Sequence, residues 1–159
     1  MNSVLSKYLA ENNIKYKEYK HKAVFTVSES NELKKNIPGL HCKTLFLKGS
    51  NEKFYLIGMP AEKRLDIKNL RKRLEVKKLH FASAEELWQK LKLKPGSVSI
   101  FGVVNDKNKE VMFILDKDVW DAEIVGFHPN ENTSTLVLKH EDLEKFYNSI
   151  SNNKYAVEL

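Results

Sequence analysis

Cysteine is almost missing from this chain. One residue, Cys42, occurs in 159, so no disulfide can form within it, and no Cys/His spacing matches a structural zinc site. No apolar run approaches the ~18 residues of a membrane span. The opening Met1-Asn2-Ser3-Val4-Leu5 lacks the basic segment and long apolar stretch of a secretory signal. Also missing are a Gly-x-Ser-x-Gly elbow, a Walker loop and a Gly-x-Gly-x-x-Gly run. No RNA-recognition, KH or zinc-finger signature occurs. Nor is there a repeat, a low-complexity block or a linker. These absences predict a protein of the reducing cytoplasm, with no membrane partner, no cofactor and no metal.

What is there suits one domain spanning residues 1–159, with a tail that frays after residue 151. Hydrophobic residues make up 42%, enough for one real core. Lysine and arginine number 27 against 21 aspartate and glutamate, a formal charge of +6. That balance permits a polyanionic partner and equally describes a merely soluble protein.

Ser3 can cap a first helix with Leu5, Tyr8 and Leu9 on one face. Residues 14–19 alternate weakly as a strand, and Ser28 opens a helix that ends before Pro38-Gly39. Strands at 43–48 and 54–59 flank Gly49-Ser50-Asn51, a hairpin signal. Asp66 caps a helix with Ile67, Leu70 and Leu74 inward, and Ser83 with Glu86 forms a capping box. Strands follow at 98–104 and 111–115, read as a second hairpin, then at 124–127 and 135–138, and a last helix starts near Glu141. Helices and six or seven strands interleave, the pattern of an α+β fold.

Two polar segments carry the candidate chemistry. In the first, Pro38-Gly39 turns the chain into a strand with Lys43 at its mouth. A lysine there can meet a phosphate as a point charge, or it can be a solvated strand end. In the second, His128 precedes Pro129, which holds it extended. Its imidazole suits acid–base or hydrogen-bonding work near neutral pH, or a structural loop. Asn132, Thr133 and Thr135 can bind a ligand or their own turn. Gly96, after Pro95, allows positive φ or close approach of a ligand.

Arg64, Lys68, Arg71 and Lys72 gather near a helix from Asp66, a face that can follow an RNA backbone or simply be solvated. Lys15, Lys17, Lys20 and Lys22 form a weaker cluster. His21, His80 and His140 show no partner in the sequence. Cys42 adjoins His41, but strand neighbours point to opposite faces, which leaves nucleophilic catalysis little support.

The residues occur in an informative order. His21, Ala23 and Thr26 come first, then Pro38-Gly39 and Lys43-Thr44-Leu45-Phe46-Leu47. Phe81-Ala82-Ser83, Pro95-Gly96-Ser97-Val98 and Phe101-Gly102 follow, then His128-Pro129, Asn132 and Thr135. This set resembles the YbaK/ProX superfamily of aminoacyl-tRNA deacylases, above all its free-standing prolyl-tRNA editing type. The resemblance runs from about residue 3 to 150. It implies a mixed, barrel-like sheet with surrounding helices and hydrolysis of a wrong amino acid from tRNA, chiefly alanine on tRNA(Pro).

It further implies that Lys43 engages the phosphate or ribose of the tRNA 3′ end, and that backbone at Gly96 orients the aminoacyl group. His128 would shape the amino-acid pocket. His21, Thr26, Thr44, Ser97, Asn132 and Thr135 would flank the substrate. Thr44 replaces the family's usual asparagine, keeping a hydrogen bond with less reach. Ile100 stands where a proline usually stiffens the glycine loop.

An aminoacyl ester needs only a placed water and oxyanion stabilisation, and in this family the neighbouring ribose hydroxyl assists. The expected partners are tRNA and a prolyl-tRNA synthetase, and the expected state is a monomer or weak dimer. Other readings are the same chemistry on seryl-, threonyl- or cysteinyl-tRNA, or a non-catalytic tRNA-binding, synthetase-associated module.

Overall fold

A computed structural model of the chain describes residues 1–23 and 27–159. Thr26, expected beside the substrate, lies outside the described residues.

The first helix, α1 (Ser3–Glu11), is capped by Asn2, whose Oδ1 accepts from the Leu5 amide at 2.8 Å. Asn2 rather than Ser3 sits where a side-chain oxygen reaches the third helical amide. Leu5 and Leu9 go inward as expected. A short strand, β1 (Lys17–Lys20), and helix α2 (Val27–Asn36) follow. Next come β2 (Leu40–Gly49), β3 (Phe54–Pro60), α3 (Ile67–Leu74), β4 (Leu79–Phe81) and α4 (Ala84–Leu91). Asp66 caps α3, and Ser83 and Glu86 close a reciprocal capping box on α4. The chain ends with β5 (Val111–Asp116), α5 (Lys117–Asp121), β6 (Ile124–Phe127), β7 (Ser134–Lys139), α6 (His140–Ser149) and β8 (Lys154–Val157).

The strands form one mixed eight-stranded sheet in the order β1-β7-β6-β2-β3-β5-β8, with β4 also on β2. Ten-residue β2 is the hub. It pairs antiparallel with β3 from Cys42↔Pro60 to Lys48↔Phe54. On its other side its start pairs parallel with β6 and its end antiparallel with β4. Alternation along β2 feeds two cores. Phe46 packs into the larger one with Phe101, Phe113, Phe127 and Phe146. Leu47 packs into a smaller one with Tyr55, Ile57, Met59 and Leu70 of α3. Both faces of β3 are therefore covered, and all seven of its residues are buried.

Ile67, expected to face inward on α3, is 41% exposed, and three further expectations change. Residues 98–104 are not a strand: Ile100–Asn105 is a 3₁₀ turn capped by Ser99. The apolar run there looks strand-like, but β3's free edge is taken by β5 in a parallel pairing, so no second hairpin forms. Nor does the end of the chain fray after residue 151. β8 pairs parallel with β5, and the buried Asn152 amide donates to Asp106 Oδ2 at 2.8 Å and to the Val111 carbonyl at 2.7 Å. The early strand is shorter than residues 14–19, because Ile14 is drawn into the main core and pairing begins at Lys17.

Candidate functional site: a fork in the sheet

β2 pairs with β6 only at Leu40↔Val125 and His41↔Gly126, and meets β4 from Leu47↔Phe81. The Ala82 amide extends the second contact to the Phe46 carbonyl at 3.0 Å. Between them, along Lys43, Thr44 and Leu45, no ladder among the described residues fills that edge. The His41 carbonyl and the Gly49 amide both bond toward the β3 side, to Ala61 and Lys53. Backbone groups alternate along a strand, so those of Thr44 face the gap where β6 and β4 part.

Side chains sort onto the two faces by the same alternation. Cys42 and Phe46 belong with the large core, and Thr44 shares their face. His41 and Lys43 lie on the other. Gly126 is the partner of His41, so His128, two residues on, shares the face of His41 and Lys43. Extending that register by two residues would set Lys43 opposite His128.

Around His128 the structure gathers residues far apart in sequence. The His21 and His128 rings lie 6.1 Å apart. His21 Nε2 lies 3.0 Å from Thr135 Oγ1, while its Nδ1–H donates to the Lys22 carbonyl at 2.7 Å. His128 Nδ1–H donates to the Ser134 carbonyl at 3.0 Å, which leaves Nε2 as the free lone pair of the neutral ring. His41 Nε2–H donates to the Ile37 carbonyl at 2.9 Å. Burial is the main force holding the His128 pKa below the ordinary histidine value, with positive charge on His21 or His41 adding to it and the Ser134 carbonyl opposing. His128 is therefore a neutral acceptor at physiological pH. Thr135 is buried, and Asn132 half-buried in the loop before it.

Two shallow clefts flank the gap. One, of about 300 Å³, is lined by Lys43, Arg64, Ile67 and Phe81. The other, of about 210 Å³, is lined by Thr44, Ala82, Gly96, Val98 and Phe81. They abut at Leu45 and Phe81, which line both. Lys43 and Gly96 thus belong to adjoining clefts, and His128 lines neither of these two. The link to His128 is instead through backbone: the buried Ser99 hydroxyl donates to the His128 carbonyl. Gly96 has φ +87°, and a Cβ there would meet nothing within 4 Å. The Ser97 amide closes the Pro95-Gly96 turn on the Lys94 carbonyl at 3.0 Å, and the Ser97 side chain is half-buried.

The basic residues divide. Arg64 shares the Lys43 cleft, and Lys68 and Lys72 are exposed on α3. Arg71 is half-buried and braces the turn after α3, donating to the Lys77 carbonyl at 2.9 Å. Lys63 pairs with the buried Asp116 at 2.9 Å. Cys42 points away from His41, and burial pushes its thiol pKa far up.

Sequence reading missed His41 and Ser99. Alternation with Lys43 signals the face of His41, but its pairing with Gly126 is non-local. Nothing local marks Ser99. His21 looked isolated by its own chemistry and instead has Thr135 and His128 beside it.

The chain matches the aminoacyl-tRNA editing domain over residues 21–146. It is 36% identical over 152 residues to the prolyl-tRNA editing protein ProX of Acetoanaerobium sticklandii, covering 95% of this chain and 93% of that one. It is 30% identical over 151 residues to prolyl-tRNA synthetase associated domain-containing protein 1 of Bos taurus, covering 92% and 88%. A crystal structure described as a candidate trans-editing enzyme for prolyl-tRNA synthetase superposes with TM-score 0.74 over 100% of this chain and 99% of that one. At 16% identity that likeness speaks for the fold. Fold and sequence together define a hydrolase, an aminoacyl-tRNA deacylase. The chain belongs to the aminoacyl-tRNA editing domain family.

Proposed function

We propose that this protein is a trans-editing deacylase that clears mischarged tRNA(Pro), with alanyl-tRNA(Pro) as its main substrate. The observation that carries this reading is the end-to-end likeness to the Acetoanaerobium sticklandii prolyl-tRNA editing protein. The name of the Bos taurus relative supports prolyl-tRNA synthetase as a partner.

In this reading the acceptor end enters at the fork. The Lys43 ammonium, with Arg64 beside it, holds the terminal phosphate or ribose. The backbone at Gly96, open in front of its α-carbon, receives the aminoacyl group. Neutral His128, held by the Ser134 carbonyl and set beside His21 and Thr135, shapes the amino-acid side of the fork. Lys68 and Lys72 carry the acceptor stem. Water attacks the ester carbon, the vicinal ribose hydroxyl assists, and free amino acid and tRNA leave. A small hollow admits alanine and rejects the proline ring by clash, which is easier than rejecting a smaller residue.

The test is a panel of tRNAs mischarged with alanine, serine, threonine and cysteine. Alanyl-tRNA(Pro) should be deacylated fastest. Lys43→Ala should lose at least about a hundredfold in kcat/KM with an unchanged melting temperature. Faster turnover of another aminoacyl-tRNA reassigns the amino acid, and full activity of Lys43→Ala removes the lysine from the mechanism.

A further inference from the structure

The ring of Phe81 is 64% exposed, although its cross-strand partner Leu47 is 1% exposed. A lone exposed aromatic is ordinary; its placement here is not. Phe81 forms the shared wall of the two clefts at the fork, with Lys43 and Arg64 on one side and Thr44 and Gly96 on the other. Its backbone is held on both flanks. The ladder with β2 fixes it from before, and the Ala82–Phe46 hydrogen bond and the Ser83 capping box fix it from behind.

Its face is also free. Among the described residues no aromatic ring packs on Phe81, and no lysine lies over it. The exposed ring of Trp88, by contrast, carries Lys92 Nζ at 5.6 Å, and the exposed Tyr155 stands at a separate cleft under α3. Among the described residues the one carboxylate lining the Lys43 cleft, Glu62, is occupied by Lys34 at 2.7 Å. What remains is a rigid apolar plane beside two cations. That combination recognises a flat base attached to a phosphate.

We infer that Phe81 is a stacking platform for the base of the 3′-terminal nucleotide of tRNA, an inference that rests on the proposed function above. The phosphate before that nucleotide would meet Lys43 and Arg64, and its ribose would carry the amino acid past Leu45 toward Gly96. Phe81 is thus a positioning residue. It fixes where the ester sits and takes no part in breaking it. Stacking is indifferent to base identity, so the platform serves the shared acceptor end and leaves the choice of amino acid to the fork.

The test measures binding of two uncharged tRNA(Pro) samples, one complete and one whose 3′-terminal nucleotide keeps its phosphate and ribose but lacks the base. Wild type should bind the complete tRNA about tenfold more tightly. Phe81→Leu, which keeps an apolar side chain without a ring, should bind both alike, and Phe81→Tyr should recover most of the preference. On aminoacyl-tRNA the leucine variant should lose in KM rather than kcat. A preference that persists in Phe81→Leu, or is absent from wild type, overturns the inference. Should leucine alter the melting temperature, Phe81→Ser replaces it. Failure of the function itself would look different: no turnover by wild type on any member of the mischarged panel.

Discussion

The hydroxyl of Ser99 donates to the carbonyl oxygen of His128, and Ser99 Oγ in turn accepts the Phe101 amide at 3.1 Å. One side chain with no solvent exposure therefore caps the 3₁₀ turn and ties the glycine loop to the strand end that carries the imidazole. The two halves of the site come from different sides of the sheet, and this is where their backbones are joined.

Ser99→Ala should undo that tie. Two buried backbone groups lose their partner, so stability should fall by about 1–3 kcal/mol, read from urea unfolding. Deacylation should fall as well, by about tenfold, and in kcat more than KM, because the loop and His128 no longer hold a fixed separation. Unchanged kcat in a destabilised variant would show that the tie serves the fold alone.

The His128 pKa lies below the ordinary histidine value of 6.5. Between the two values the folded chain binds fewer protons than the unfolded one, so stability rises with pH there. The contribution is complete above about pH 6.5 and is lost as pH falls through the lower, folded-state value. The melting temperature of wild type should drop between pH 7 and pH 5 more than that of His128→Asn. Parallel curves for the two proteins would place the titrating group elsewhere.

Gly96 separates two needs, backbone conformation and open space. Its φ of +87° is costly for alanine although the space for a methyl group is free, so Gly96→Ala should destabilise by about 1 kcal/mol. Asparagine tolerates positive φ better. Gly96→Asn should therefore restore stability yet stay impaired in deacylation, because its side chain projects into the space proposed for the aminoacyl group. Recovery of both properties would limit Gly96 to its turn.

Asn152 anchors the end of the chain to Asp106 and the Val111 carbonyl. Asn152→Ala leaves a buried carboxylate and a carbonyl short of donors and should cost about 2–3 kcal/mol. Hydrogen exchange should show β8 opening first, since that strand sits at the sheet edge beside β5 alone.

Much of this fold is written locally. The turn at Gly49, the Asp66 cap and the Ser83–Glu86 box each announce their element within four residues. Residues 98–104 mislead because an apolar alternation does not say whether a strand edge is free. Here β5 occupies it from a distance. β8 was missed for a related reason: it is only four residues long, and it is held by parallel pairing with β5 and by the hydrogen bond of Asn152, just before it, to a residue 46 positions away.

The site divides in the same way. Alternation separates Lys43 from Thr44 and His41 from Cys42 from the sequence alone. That His128 comes to the face of Lys43, with His21 and Thr135 around it, depends on the β2–β6, β6–β7 and β1–β7 registers. No spacing along the chain encodes those registers.

The lone thiol, half-buried at Cys42 against the large core with its proton held tightly, has a practical corollary. A thiol kept from ionising is a poor target for peroxide, alkylators and mixed disulfides. Proofreading by this protein should therefore continue through oxidative stress that silences thiolate-dependent enzymes around it.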